Sequence, residues 1–115
     1  MSFVIKLLIS AVAVFLTAKL LPGIVVSGFF AAILVAIVLA LLNTFLKPFL
    51  VLLTIPITVF TLGLFLLVIN GAVIMLAGWM LDEFLVRSIW WAIAFSLIQS
   101  FLNTLLSSLI QDEKN

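Results

Sequence analysis

The sequence predicts an all-α integral membrane protein with four transmembrane helices. The chain has 115 residues, of which 68% are hydrophobic and only 8% are charged. Soluble domains are about 45–50% apolar and about 25% charged, and a domain this small buries only part of its surface. The apolar side chains therefore need lipid around them. The few ionisable side chains also divide the chain into uncharged runs, and a run of about 18 or more residues is a candidate span. The first run reaches that length only if Lys6 and Lys19 both extend to the interface.

Four such runs are expected to cross, which makes residues 1–115 a single transmembrane domain. Pro22 and Gly23 end the first run, and Lys47 and Pro48 close the second. Lys6 before an apolar stretch would also suit a signal peptide, but no small-x-small cleavage site precedes Pro22, which favours a retained helix. The spans are expected at about residues 3–21, 28–46, 61–81 and 88–110.

Residues 47–60 form the connector between the second and third spans. Its apolar part, residues 48–60, is short for a span, and Pro48 and Pro56 both interrupt a helix. We therefore expect a proline-broken segment that is interfacial or re-entrant. A re-entrant backbone has to be buried in protein or lined by water.

The two halves of the chain resemble each other. Aligning residues 21–46 with residues 81–106, an offset of 60 (81 − 21), places Asn43-Thr44 on Asn103-Thr104. The match predicts two similar helical hairpins, 1–46 and 61–110, against the alternative of chance similarity between apolar helices. If the connector does not cross, the halves share one orientation and the basic residue count weakly favours cytoplasmic termini. If it crosses, the halves are inverted, as in many transporters.

Small and polar side chains recur on one face of the second and fourth spans. Their spacing of four residues lets helix backbones approach closely in lipid, and an asparagine follows each stripe as a hydrogen-bonding group. The stripes fit packing within one protomer or self-association between protomers. The predicted interface residues are Ala32, Ala36, Ala40, Asn43, Ala92, Ser96, Ser100 and Asn103.

Polar and aromatic residues elsewhere suggest packing and anchoring. Asn70 and Gln99 lie within spans, where an amide either bonds to a neighbouring helix or lines a polar cavity. Trp79, Trp90 and Trp91 flank one loop, as expected of interfacial anchors on a single membrane face.

The composition argues against several function classes. The chain has no Cys and no His, which removes thiolate nucleophiles, the commonest general base and the commonest metal ligands. No charged residue is expected near the centre of a span, where proton relays and voltage sensors need one. A net charge of +1 gives no field that would attract nucleic acid. We therefore expect no enzyme activity, no cofactor, no metal and no evident small-molecule substrate.

Residues 40–76 resemble the mycobacterial-type four-span phage holin superfamily of small bacterial membrane proteins. The family pattern has an Asn shortly before a (Lys/Arg)-Pro pair, then Thr-x-Pro-x-Thr, Thr-Leu-Gly and Ile-Asn. The resemblance implies four spans and, by the family's label, hole formation. The matching residues are Asn43, Lys47, Pro48, Thr54, Pro56, Thr58, Thr61, Leu62, Gly63, Ile69 and Asn70.

The function expected first is that of a small non-enzymatic protein of the bacterial inner membrane. It would contact lipid and act by helix packing, as a homo-oligomer or as an accessory subunit of another membrane complex. The alternative is a holin-like pore or channel, and a weaker one is a small transporter. The polar residues are scattered along the sequence without a continuous stripe, which favours packing over conduction.

Overall fold

The computed structural model describes residues 2–114 and the side chains of residues 2–110. The side chains of residues 111–115, which the sequence predicts to be a solvated tail, are outside the described part of the chain. The described chain is mostly helical, as predicted. Its elements are α1 (Phe3–Leu20), β1 (Ile24–Val26), α2 (Phe29–Leu41), a π-helical segment (Leu42–Leu46), α3 (Lys47–Leu53), α4 (Ile55–Phe60), α5 (Phe65–Met80), β2 (Phe84–Val86) and α6 (Ile89–Lys114).

Local sequence signals account for both ends of α1. The hydroxyl of Ser2 accepts a hydrogen bond from the Ile5 amide at 3.2 Å, which caps the helix start. The helix ends before Pro22, and Leu21 is extended because a residue that precedes proline is disfavoured in the helical region.

The helix that begins at Phe29 continues through Lys47 and Pro48 and ends at Leu53, seven residues beyond the expected end of the second span (53 − 46). In the π-helical segment the Lys47 amide donates to the Leu42 carbonyl, one residue further back than in an α-helix. This local change of register accommodates a proline without ending the helix. Lys47 therefore lies inside a long apolar helix rather than at its end.

The rest of the connector is a second short helix, α4, followed by a tight turn. The Gly63 amide donates to the Thr58 carbonyl at 2.8 Å and the Leu62 amide to the Val59 carbonyl at 3.1 Å, which is the Schellman arrangement. Leu62 occupies the left-handed position, with φ of 57°, where glycine is usual and a leucine costs roughly 1–2 kcal/mol. The turn covers residues 61–64, so α5 begins four residues later than the expected third span (65 − 61).

Three helices in the described part of the chain are long and apolar enough to cross a bilayer: Phe3–Leu20, Phe29–Leu53 and Ile89–Ile110. The helix α5 is also apolar but has only 16 residues, or about 24 Å of rise. The prediction of a helical membrane protein is confirmed at this level, with three long helices and one shorter one.

The sequence did not predict a two-stranded antiparallel ribbon, which joins the α1–α2 loop to the α5–α6 loop. Strand β1 pairs with β2 in the register Ile24 to Val86, Val25 to Leu85 and Val26 to Phe84. The ribbon is extended at both ends, where the Ser27 amide donates to the Glu83 carbonyl and the Arg87 amide to the Gly23 carbonyl, each at 3.1 Å. We call this end of the helix bundle the ribbon end, and the opposite end, near Phe3 and Ile110, the terminus end.

Positions that differ by the offset of 60 have matching environments. The buried residues of α1 are Ile9, Ala11, Ala13, Val14 and Thr17, and those of α5 are Ile69, Gly71, Val73, Ile74 and Ala77. Each member of the second set follows its counterpart by 60 (69 − 9). The two ribbon-end bonds from Ser27 and Arg87 are related in the same way (87 − 27). Helix α1 contacts α2 and α6, and α5 contacts α6 and α2, around one core.

Candidate functional site

Most of the polar side chains that look scattered in the sequence meet at one partly open cavity between the helices. Its volume is ≈ 310 Å³, and residues of α1, α2, the π-helical segment and α6 line it. The polar side chains that line it are Lys6, Ser10, Asn43, Gln99, Ser100 and Asn103.

A smaller recess of ≈ 50 Å³ adjoins this cavity and shares Asn43, Gln99 and Ser100 with it. Lys47 and Asn70 face the recess, so α3 and α5 complete the polar lining. Asn70 and Gln99 both line the recess, and Gln99 also bonds to a neighbouring helix, so for Gln99 the two alternatives hold together. We refer to the two volumes together as the polar cavity.

A hydrogen bond links two walls of the polar cavity. The amide nitrogen of Gln99 donates to the hydroxyl of Ser10 at 3.4 Å, joining α6 to α1. Ser96, which also lines the recess, is otherwise occupied, because its hydroxyl donates to the Ile93 carbonyl of its own helix at 2.8 Å.

The polar cavity extends from the middle of the bundle to the terminus end. Asn70 and Gln99 each lie ten residues from the ribbon end of their helix (80 − 70 and 99 − 89), or about 15 Å along the axis. Lys47 is 18 residues beyond Phe29 (47 − 29), or about 27 Å, close to the full hydrocarbon thickness. Toward the ribbon end the bundle is filled by a buried apolar cluster that includes Val14, Val35 and Phe95.

The charge of the polar cavity is one-sided. Lys6 lines the larger volume and Lys47 the recess, and no carboxylate is among the described residues that line either. Asp82 and Glu83 lie in the loop at the ribbon end, between α5 and β2. The described lining therefore offers two ammonium groups together with amide and hydroxyl groups. In the described chain no three His, Cys, Asp or Glu side chains are grouped to hold a metal ion.

The predicted small-residue stripes divide between the core and the polar cavity. Ala32, Ala36, Ala92 and Ser96 are buried by the chain's own helices. Further along each stripe, Ala40 and Ser100 line the polar cavity, together with Asn43 and Asn103.

The three tryptophans lie at the ribbon end, at the close of α5 and the start of α6. Trp79 and Trp90 are exposed, whereas Trp91 is half-buried against Gly23. Its indole ring occupies the position that a Cβ atom on Gly23 would take. Trp91 is thus a packing residue as well as a member of the aromatic group.

The family-motif residues fall in two places. Asn43, Lys47 and Asn70 line the recess. Pro48 and Pro56 lie near the starts of α3 and α4, and Gly63, with φ of 88°, is in the turn that precedes α5. The hydroxyl of Thr58 is buried without a hydrogen-bond partner in the described chain.

Sequence reasoning missed that Ser10 and Lys6 line the polar cavity. One signal was available for Ser10, because the same offset places it on Asn70 (70 − 10), and both residues line the polar cavity. For Lys6 no such signal existed, since a lysine near a helix end normally reaches for the interface.

Comparison with known proteins places this helical membrane chain in a family. The chain is 35% identical over 103 residues to the uncharacterized membrane protein YvlD of Bacillus subtilis, covering 89% of this chain and 87% of the relative. It is 32% identical over 121 aligned positions to the uncharacterized protein SCO3922 of Streptomyces coelicolor, covering 96% and 97%. No solved structure is significantly similar. Residues 1–105 match the model of the mycobacterial 4 TMS phage holin superfamily IV, which confirms the resemblance, and the chain belongs to that family.

Proposed function

We propose that this protein is a non-enzymatic, self-associating subunit of the bacterial inner membrane, and that the second half of α6 is the helix through which copies associate. The supporting observation is how little of α6 the chain itself covers. Over its best spanning window, 11% of the residues are buried, against 28% in each of the other two long helices. It is also the least apolar of the three.

The side chains that α6 leaves exposed include a line of small hydroxyl residues. Ser100, Thr104 and Ser108 are exposed and spaced four residues apart, so they share one face of the helix. Small residues and hydroxyl groups are the groups that bring helices together in lipid, where no hydrophobic force acts between them. A second copy of α6 would cover this face and offer hydrogen-bond partners to its hydroxyl groups, which lipid tails do not.

Cross-linking tests this interface cleanly because the chain contains no native cysteine. We expect Thr104→Cys to form a disulfide-linked dimer when native membranes are oxidised. The matched control is Thr44→Cys, which has the same side chain, is also exposed and lies at the equivalent position of the other half (104 − 44 = 60).

A high yield of dimer from Thr104→Cys and little from Thr44→Cys would support association through α6. Equal yields from both would indicate random collision. Absence of a dimer from Thr104→Cys, Ser100→Cys and Ser108→Cys alike would reject the interface.

We also propose that the spans form two similar hairpins with one orientation and that the connector does not cross the membrane. The ribbon supports this arrangement, because pairing of β1 with β2 requires both loops to be on one face. Helix α2 then runs from that face to the opposite one, and α5 runs back, so the connector between them starts and ends on the opposite face.

Reporter fusions at the two termini test this topology. We expect reporters at the N-terminus and the C-terminus to lie on the same side, and the basic residue count weakly favours the cytoplasmic side. Reporters on opposite sides would mean that residues 47–60 cross the membrane, and the same-orientation arrangement would fail.

A pore is the second candidate, and the polar cavity is the observation that favours it. The apolar cluster around Val14 and Phe95 closes the polar cavity toward the ribbon end, so a passage would have to lie between copies of the chain. Dye release from liposomes separates the two functions. Release that rises steeply with protein density would favour the pore, and retention of dye at high density would reject it.

A further inference from the structure

We propose that the polar cavity is a binding site for a phosphate-type oxyanion. This inference goes beyond self-association and does not depend on it. It rests on the residues that meet in the polar cavity, the absence of carboxylates from its described lining, and its level in the membrane.

The lining has the chemistry of an anion site. Lys6 and Lys47 approach it from α1 and α3, and their ammonium groups have no acid in the described lining to neutralise them. Ser10, Asn43 and Asn103 add hydroxyl and amide donors around the same volume. A phosphate-type oxyanion accepts several such charge-assisted hydrogen bonds at once through separate oxygen atoms, which a neutral solute does not.

The level of the two lysines matches that of lipid headgroups. Lys47 lies about 27 Å from the ribbon end of its helix, and Lys6 about 21 Å from the ribbon end of α1, 14 residues away (20 − 6). The hydrocarbon core is about 30 Å thick, so both ammonium groups reach the interface at the terminus end. Basic pockets between helices at this level bind anionic lipid headgroups.

The volume limits the ligand to a small group. At ≈ 310 Å³ the larger part of the polar cavity is at the lower end of the range for small-molecule pockets, roughly 300–1,000 Å³. One headgroup phosphate with its glycerol, or one free phosphate ion, suits this space. Both share the same oxyanion chemistry, and the experiment separates them.

Thermal unfolding of the full chain in uncharged detergent is the measurement, followed by circular dichroism. We expect dioleoyl phosphatidylglycerol to raise Tm and dioleoyl phosphatidylcholine, whose headgroup is neutral overall, to leave it unchanged. A ligand that binds only the folded state stabilises it by mass action. Inorganic phosphate is titrated in a second arm. A rise with phosphate alone identifies the free ion as the ligand, and a rise with the lipid alone identifies the headgroup.

Variants tie the effect to the two lysines. Lys6→Gln and Lys47→Gln are each expected to weaken the apparent affinity about tenfold, as loss of one charged hydrogen-bonding partner does. Lys47→Arg, which keeps the charge, is expected to retain most of it. Lys19→Gln is the control, because the Lys19 ammonium lies at the other end of the bundle, 5.1 Å from the centre of the Phe15 ring.

The proposal is overturned if neither the anionic lipid nor phosphate raises Tm, or if both glutamine variants respond like the parent chain. It is equally overturned if Lys19→Gln reduces the response as much as they do, since that would indicate general attraction to a cationic protein. Thr104→Cys cross-linking in the Lys6→Gln and Lys47→Gln backgrounds reports on self-association separately.

Discussion

Replacing Phe95 by alanine is expected to lower the free energy of unfolding by about 2–3 kcal/mol. In soluble cores such a change costs roughly 3–5 kcal/mol, which combines the transfer of the side chain from water and the cavity that it leaves, and we expect mainly the cavity contribution here. Phe95 is fully buried, and its ring centre is 5.4 Å from that of Phe84, which is buried in the ribbon. The transfer part is small in lipid, because the side chain leaves one apolar medium for another. What is lost is contact between packed atoms.

Equilibrium unfolding in mixed micelles with increasing sodium dodecyl sulfate, followed by circular dichroism, measures this loss. The control is Phe101→Ala on the same helix, where the ring is 67% exposed and little packing is removed. A Phe95→Ala protein as stable as the control would contradict a core in which α6 and the ribbon are held together by these two rings.

Replacing Gly23 by alanine is expected to cost about 2–3 kcal/mol, as overpacking of a dense site does. The added methyl group would overlap three atoms of the Trp91 ring, and an indole has no flexible end that can move aside. Either the ring or the start of β1 has to shift. The same unfolding titration measures the change.

Gly28 provides a matched control in the same loop. A Cβ atom there would have no neighbour within 4 Å, and its φ of 167° is extended backbone that any residue adopts. We expect Gly28→Ala to change stability by less than about 0.5 kcal/mol. In the double variant Gly23→Ala/Trp91→Ala the overlap is gone, so the two single effects should not add. Additive effects would show that the ring is not the obstacle.

The sequence predicts the helical class well because hydrophobicity and the position of charges carry that information directly. Prolines were less informative. Pro22 ends a helix and Pro48 does not. Pro48 has no backbone N–H to donate, and the helix continues because the π-helical segment before it shifts the hydrogen-bonding register, with the Lys47 amide donating to the Leu42 carbonyl. Periodicity does not reveal a one-residue change of register, and the expected end of the second span depended on it.

The polar cavity and the ribbon were harder to predict for a different reason. Each strand has three residues, which is too short for an alternating pattern to be distinguished from a loop. Ser10 and Gln99 are 89 positions apart in the chain, and each alone reads as an isolated polar residue in an apolar helix. Only the packing of α1 against α6 gives them a common role.

The ribbon also sets the order in which the protein can be completed during synthesis. Strand β1 is made 60 residues before β2 (84 − 24), and α2 and α5 must both be inserted before the two meet. Until then its backbone donors and acceptors have only water or headgroups as partners, and a ribbon of three residues per strand is not stable alone. Closure of the ribbon is therefore a late step of biogenesis, and a nascent chain that stops before residue 84 leaves the first loop unpaired.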